Sequence, residues 1–83
     1  MRFEKMHKGK ILVVEDDSDI REGVRILLES EEYEVIEAEN GVVGLKLLDE
    51  TIDLVILDIM MPKLNGLKVC EEIRKTSNVP VLF

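Results

Sequence analysis

Aromatic residues and cysteine are scarce in this 83-residue chain, and basic residues are outnumbered by acidic ones. It has no tryptophan, one tyrosine (Tyr33) and two phenylalanines (Phe3 and Phe83), too few to build a base-stacking platform. Lys and Arg number 11 against 18 Asp and Glu, a formal charge of -7, and the acids are spread throughout, so no basic face is left to neutralise phosphates. These absences argue against direct nucleic-acid contact by this segment. The single cysteine, Cys70, can form neither an internal disulfide nor a multi-cysteine zinc site, which speaks against a disulfide-stapled secreted scaffold. No Pro/Gly/Ser linker divides the chain, nothing repeats and no segment is low in complexity, so one small domain is expected. Long hydrophobic runs are missing too. The first, Ile11 to Val14, is far too short for a signal-peptide core or a membrane span. The reading is a soluble protein of the reducing cytoplasm, without membrane contact.

What is present is a regular alternation of apolar strands and amphipathic helices. Ile11-Leu12-Val13-Val14 ends abruptly in Glu15-Asp16-Asp17, as expected of a central parallel strand buried on both faces. Asp17 or Ser18 can cap a following helix over Ser18 to Glu31, in which Ile20, Val24, Leu27 and Leu28 recur at helical spacing. Tyr33 to Ala38 reads as a less buried strand, and Asn40-Gly41 turns the chain into a helix over Gly41 to Glu50 with Val42, Leu45 and Leu48 on one face. Gly44 costs that helix about 1 kcal/mol relative to Ala, which a close approach to the sheet explains. Leu54-Val55-Ile56-Leu57 is the second fully apolar strand and runs straight into Asp58. A loop through Met60-Met61-Pro62-Lys63-Leu64-Asn65-Gly66 leads to a helix over Leu67 to Lys75, with Leu67, Cys70 and Ile73 inward, and a fourth strand comes after it over Val79 to Phe83. The order β-α-β-α-β-α-β predicts a doubly wound parallel sheet covered on both faces.

In such a sheet, ligands sit at the carboxyl ends of the strands where the winding reverses. Both apolar strands end in acids. If the second strand lies on one side of the first and the third on the other, Glu15, Asp16 and Asp58 converge there. Three adjacent carboxylates repel and call for a proton or a cation; a hard divalent ion, Mg²⁺ or Mn²⁺, suits oxygen ligands. Taken singly, each acid also fits a plainer role, facing solvent and capping a helix, and Asp17 is assigned to that role. Asp58 fits it less well, because it interrupts the apolar stretch from Leu54 to Pro62. The turn Val14-Glu15-Asp16-Asp17-Ser18 has no glycine, so it is no phosphate cradle and selects a cation.

The stretches Lys10 to Arg21 and Asp53 to Gly66, at this spacing within a four-strand order, resemble the receiver domain of two-component response regulators, in particular those that precede a winged-helix DNA-binding output domain. The resemblance implies a flavodoxin-like fold over residues 9–83, with Met1 to Lys8 a flexible leader. It implies that Asp58 accepts a phosphoryl group from a histidine kinase, and that the chain is a phosphoacceptor rather than an enzyme. It further implies that Asp16 and Asp58 ligate the metal directly, that Glu15 acts mainly through water, and that the Met60 backbone carbonyl completes the set. Ile20 and Arg21 lie on the helix face that meets the kinase's phosphotransfer domain in this family; a core role for Ile20 is the alternative. Cys70 and Tyr33 are read as packing residues, and His7 has no metal partner.

Against the five-strand pattern the fold is incomplete. The fifth strand, two helices, the Ser or Thr after the fourth strand, the Lys that ends the fifth and the aromatic switch residue are not in this sequence. The expectation is impaired phosphorylation, together with a hydrophobic edge at Val79 to Phe83 that favours a homodimer or an oligomer formed by element exchange. Two rival readings are a phosphorylation-independent dimerisation module and a haloacid dehalogenase type of phosphatase. The latter wants an acid two residues after the nucleophile, where this chain has Met60.

Overall fold

The computed structural model describes residues 8–58 and 66–83. The expectations for residues 1–7, including His7, and for the loop residues Met60, Met61, Pro62 and Asn65 lie outside the described residues. Four strands, β1 (Lys10–Val14), β2 (Glu34–Ala38), β3 (Leu54–Leu57) and β4 (Val81–Leu82), alternate with helices α1 (Ser18–Ser30), α2 (Gly41–Leu47) and α3 (Gly66–Arg74). The sheet is parallel throughout in the order β2-β1-β3-β4, so the winding reverses between β1 and β3. This is the doubly wound arrangement predicted from the sequence.

The central strands are apolar because both their faces are covered. Leu12 and Val14 of β1 join Val55 and Leu57 of β3 in one core, closed by Val69 and Ile73 of α3 and by Ile52, Ala38 and Val79. Ile11 and Val13 point to the opposite face, under α1, and are equally buried. Each such side chain contributes about 1.5–3 kcal/mol on burial, against about 1 kcal/mol for a typical helix cap, so the two central strands form the rigid frame on which the turns at their carboxyl ends are mounted. Val14 lies in register with Leu57, and the Asp58 N–H extends the ladder by donating to the Val14 carbonyl at 3.2 Å. Glu15 and Asp58 are thereby placed side by side at the same sheet edge.

Asp17 is the α1 cap: its Oδ1 accepts from the Asp19 and Ile20 N–H groups at 2.9 and 3.0 Å. The helix ends one residue before the sequence suggested. Glu31 is the C-cap, and Glu32 takes a left-handed φ of 73°, with Glu32 N–H on the Glu29 carbonyl and Tyr33 N–H on that of Leu28. That is a Schellman closure with glutamate where glycine is usual, so the sequence carried no stop signal there.

Helix α2 is shorter than expected, closing at Leu47 instead of Glu50. Leu48 is already extended, and the Asp49 carboxylate captures the Thr51 N–H and hydroxyl at 2.9 and 2.6 Å, which holds that carboxyl below the usual carboxylate range. Strand β4 is also short: Pro80 has no N–H for the ladder and the Val79 N–H is taken by the Ser77 hydroxyl, leaving Val81 and Leu82 paired.

The predicted inward faces need correcting too. Leu67 is exposed, and α3 buries Gly66, Val69 and Ile73, with Cys70 only partly covered. On α2, Val42 faces out, while Val43, Leu45 and Leu48 pack on the core. On α1, Ile20 and Leu27 face out, and no α1 residue is fully buried.

Gly44 sits where α2 presses on β1. A Cβ there would meet Val14 Cγ2 at 2.9 Å. Gly44→Ala adds helix propensity worth about 1 kcal/mol but forces a shift costing about 1–3 kcal/mol. The expected result is a net loss of about 1 kcal/mol, read as a lower urea midpoint at unchanged slope.

Candidate functional site

The site begins where the apolar strands stop. Glu15 and Asp16 leave β1 in one direction, Asp58 leaves β3 beside them, and one carboxylate oxygen from each comes within 4.8 Å of the other two. The convergence expected at the winding reversal is therefore present. Glu15 and Asp58 are partly buried, and Asp16 is exposed.

The local chain explains the placement. The Glu15 N–H continues the β1–β2 ladder onto the Ala38 carbonyl at 3.1 Å, and the Asp17 N–H turns back onto the Glu15 carboxylate at 3.1 Å. Burial pushes the Glu15 carboxyl above its ordinary range. The bond from Asp17 opposes the shift, while a hydrogen bond with Asp16 and the charges of Asp58 and Asp16 add to it. Three carboxylates this close favour a positive charge among them, and the ligand atoms they offer are all hard oxygens. This donor set fits a hard divalent cation. Beside it, a cleft of about 250 Å³ runs under α1 and is lined by Val13, Val24, Ile56 and Phe83 together with Glu15 and Asp58.

Met60, expected to add a carbonyl, lies outside the described residues. Ile20 is 53% exposed on α1, whereas the Arg21 side chain turns inward and is only 17% exposed. Its Nη1 donates to the Glu15 carbonyl at 2.6 Å and its Nε to Glu37 at 3.2 Å. Sequence reasoning did not single out Glu37, since an acid alternating outward on a strand looks like any solvated residue. Tyr33 is partly buried with Lys8 over its ring, in keeping with a packing role.

Comparison with known proteins agrees with this geometry. The family model of the response regulator receiver domain matches residues 11–83, and the chain belongs to that family, the receivers of two-component systems. The transcriptional regulatory protein YrkP of Bacillus subtilis is 51% identical over 74 residues, which cover 89% of this chain and 32% of that protein. CpxR of Escherichia coli K12 is 45% identical over 75 residues, 90% of this chain and 32% of CpxR. The chain thus spans about a third of the length of these curated relatives. Among solved structures, the response regulator TrrA of Thermotoga maritima, in complex with Mg²⁺ and BeF, matches with a TM-score of 0.82 at 45% identity, covering 88% of this chain and 65% of that one. TrrA in complex with the histidine kinase ThkA matches with a TM-score of 0.80 over the same shares. No helix among the described residues is long and apolar enough to cross a membrane.

Proposed function

We propose that Asp58 is the phosphoacceptor of this receiver, taking its phosphoryl group from the phosphohistidine of a sensor kinase, and that Glu15, Asp16 and Asp58, with the Met60 carbonyl, hold Mg²⁺. The observation that carries this reading is the meeting of three carboxylates from two parallel strands at the winding reversal. An Asp58 carboxylate oxygen attacks phosphorus, the P–O bond forms as the P–N bond breaks, and the electron pair stays on the leaving imidazole nitrogen. Bound Mg²⁺ supplies charge neutralisation for the phosphoryl oxygens. The chain's own residues do the rest: β3 fixes Asp58, and the Asp17 cap fixes the turn bearing Glu15 and Asp16. TrrA's complexes with Mg²⁺ and BeF and with a kinase support the assignment by similarity.

In this reading residues 9–83 form the receiver portion and 1–8 its leader, the protein works in the cytoplasm, and exposed Ile20 contributes to the kinase contact. The transcriptional relatives support control of a DNA-binding output in the full-length protein. The chain serves as a phosphoacceptor and turns over no substrate of its own.

A second reading, favoured by Leu67, Leu82 and Phe83 at 63%, 56% and 57% exposure, is an interaction module that pairs through the β4 edge. Incubation with a phosphorylated kinase domain, then intact-mass measurement, separates the two. Phosphoryl acceptance that chelation of Mg²⁺ abolishes, and that Asp16→Asn weakens, is the expected result. A folded chain that accepts nothing and sediments as a dimer favours the second reading.

A further inference from the structure

We propose that Arg21, seated on Glu37, is a positioning residue for the acidic site: its guanidinium clamps the Glu15 carbonyl and so fixes the turn that presents Glu15 and Asp16 to the cation. This rests on the reading of Glu15, Asp16 and Asp58 as a metal site. In a parallel ladder the N–H and C=O of one residue point to the same neighbour. The Glu15 N–H reaches Ala38 on β2, but β2 ends at Ala38, and Arg21 Nη1 takes the Glu15 carbonyl at 2.6 Å where the next ladder N–H would stand.

The Arg21 backbone N–H makes the first intrahelical bond of α1, to the Asp17 carbonyl at 2.9 Å, so the guanidinium is carried by the helix that the turn 15–17 enters. Its Nε lies 3.2 Å from Glu37 Oε1, and the other Glu37 oxygen is held by Arg25 Nε at 3.1 Å. The fork is therefore aimed from behind by a carboxylate that is itself fixed. Three adjacent carboxylates repel and drive the turn to open when no cation is bound. The Arg21 clamp opposes that opening. The two bonds leave from separate nitrogens, Nη1 and Nε, of one rigid guanidinium plane, whereas lysine would have to reach both oxygens from a single nitrogen.

The test is a Mg²⁺ titration of the whole chain monitored by amide NMR shifts, in wild type and in Arg21→Met, Arg21→Lys and Glu37→Gln. Lys75→Met serves as the control, because it removes an exposed cation paired with Glu72 and touches neither Glu15 nor Glu37. Arg21→Met is expected to weaken Mg²⁺ binding about tenfold, the scale of lost outer support for metal ligands, with Arg21→Lys and Glu37→Gln in between and Lys75→Met at the wild-type value. In metal-free protein the amide shifts of Glu15 to Asp17 should move in Arg21→Met and stay in Lys75→Met. Wild-type affinity in Arg21→Met, or an equal loss in Lys75→Met, overturns the clamp. If Arg21→Met does not fold, Arg21→Lys and Glu37→Gln decide by the same titration. Asp16→Asn, run alongside, distinguishes the failures: unchanged binding there removes the metal reading and the clamp together, whereas binding lost there but kept in the Arg21 and Glu37 variants removes the clamp alone.

Discussion

Leu57→Ala is expected to cost about 3 kcal/mol, within the range of about 2–5 kcal/mol seen for large-to-small changes in closed cores. Leu57 is 1% exposed and packs in the cluster shared by β1, β3 and α3, where the neighbouring backbone is fixed by ladder bonds and cannot collapse into the space left. For a domain of this size the loss corresponds to a melting midpoint lower by about 12–24 °C. Because Leu57 is the residue before Asp58, the same change loosens the strand end that carries the site. Leu82→Ala, at a side chain 56% exposed, is the contrast and should stay within about 0.5 kcal/mol. Urea unfolding of both variants checks the pair; equal effects would show that β3 is not the centre of the core.

Asp58→Asn should stabilise the metal-free protein at neutral pH while weakening Mg²⁺ binding. The sign comes from Glu15. Its carboxyl is raised in the folded chain, by burial first and then, among other causes, by the charge of Asp58. A carboxyl raised on folding contributes stability below its unfolded pKa, and that contribution is lost as pH rises through the folded value. The wild type therefore carries a penalty at neutral pH that removing the Asp58 charge relieves in part. The expected gain is below about 1 kcal/mol, the ceiling for a solvent-screened charge pair, or a midpoint higher by a few degrees. The gain should shrink as the pH is lowered into the carboxylate range, where the repulsion disappears for both proteins. Saturating Mg²⁺ should reverse the order, since a ligand that binds the folded state stabilises the wild type more. Thermal melts at several pH values, with and without Mg²⁺, show this directly; a midpoint that falls in the variant under metal-free neutral conditions contradicts it.

The sequence made the central strands legible because burial on both faces leaves an unbroken apolar run, as in Ile11 to Val14 and Leu54 to Leu57. The site was legible for the same reason: acids that end such runs must lie at one sheet edge, and the strand order brought Glu15, Asp16 and Asp58 together. Asp17 could be read as a cap from its position alone. What stayed hidden depended on competition among hydrogen bonds. Leu48 and Asp49 continue the apolar and polar rhythm of α2, yet the Thr51 hydroxyl and N–H claim Asp49 and end the helix early. The inward and outward faces of α1 and α3 were blurred because each is covered on one side only, so Ile20, Leu27 and Leu67 keep helical spacing without burial. Arg21 was assigned to an outer surface by resemblance, and only the geometry shows its side chain folded back onto Glu15 and Glu37.

The central claim is that Asp58, beside Glu15 and Asp16, accepts a phosphoryl group. It is tested most directly by intact-mass spectrometry of the wild type and Asp58→Asn after incubation with acetyl phosphate and Mg²⁺. The account predicts a single phosphoryl adduct on the wild type, labile to base as an acyl phosphate is, and none on the variant. An adduct of equal yield on Asp58→Asn, or none on a folded wild type, would contradict it.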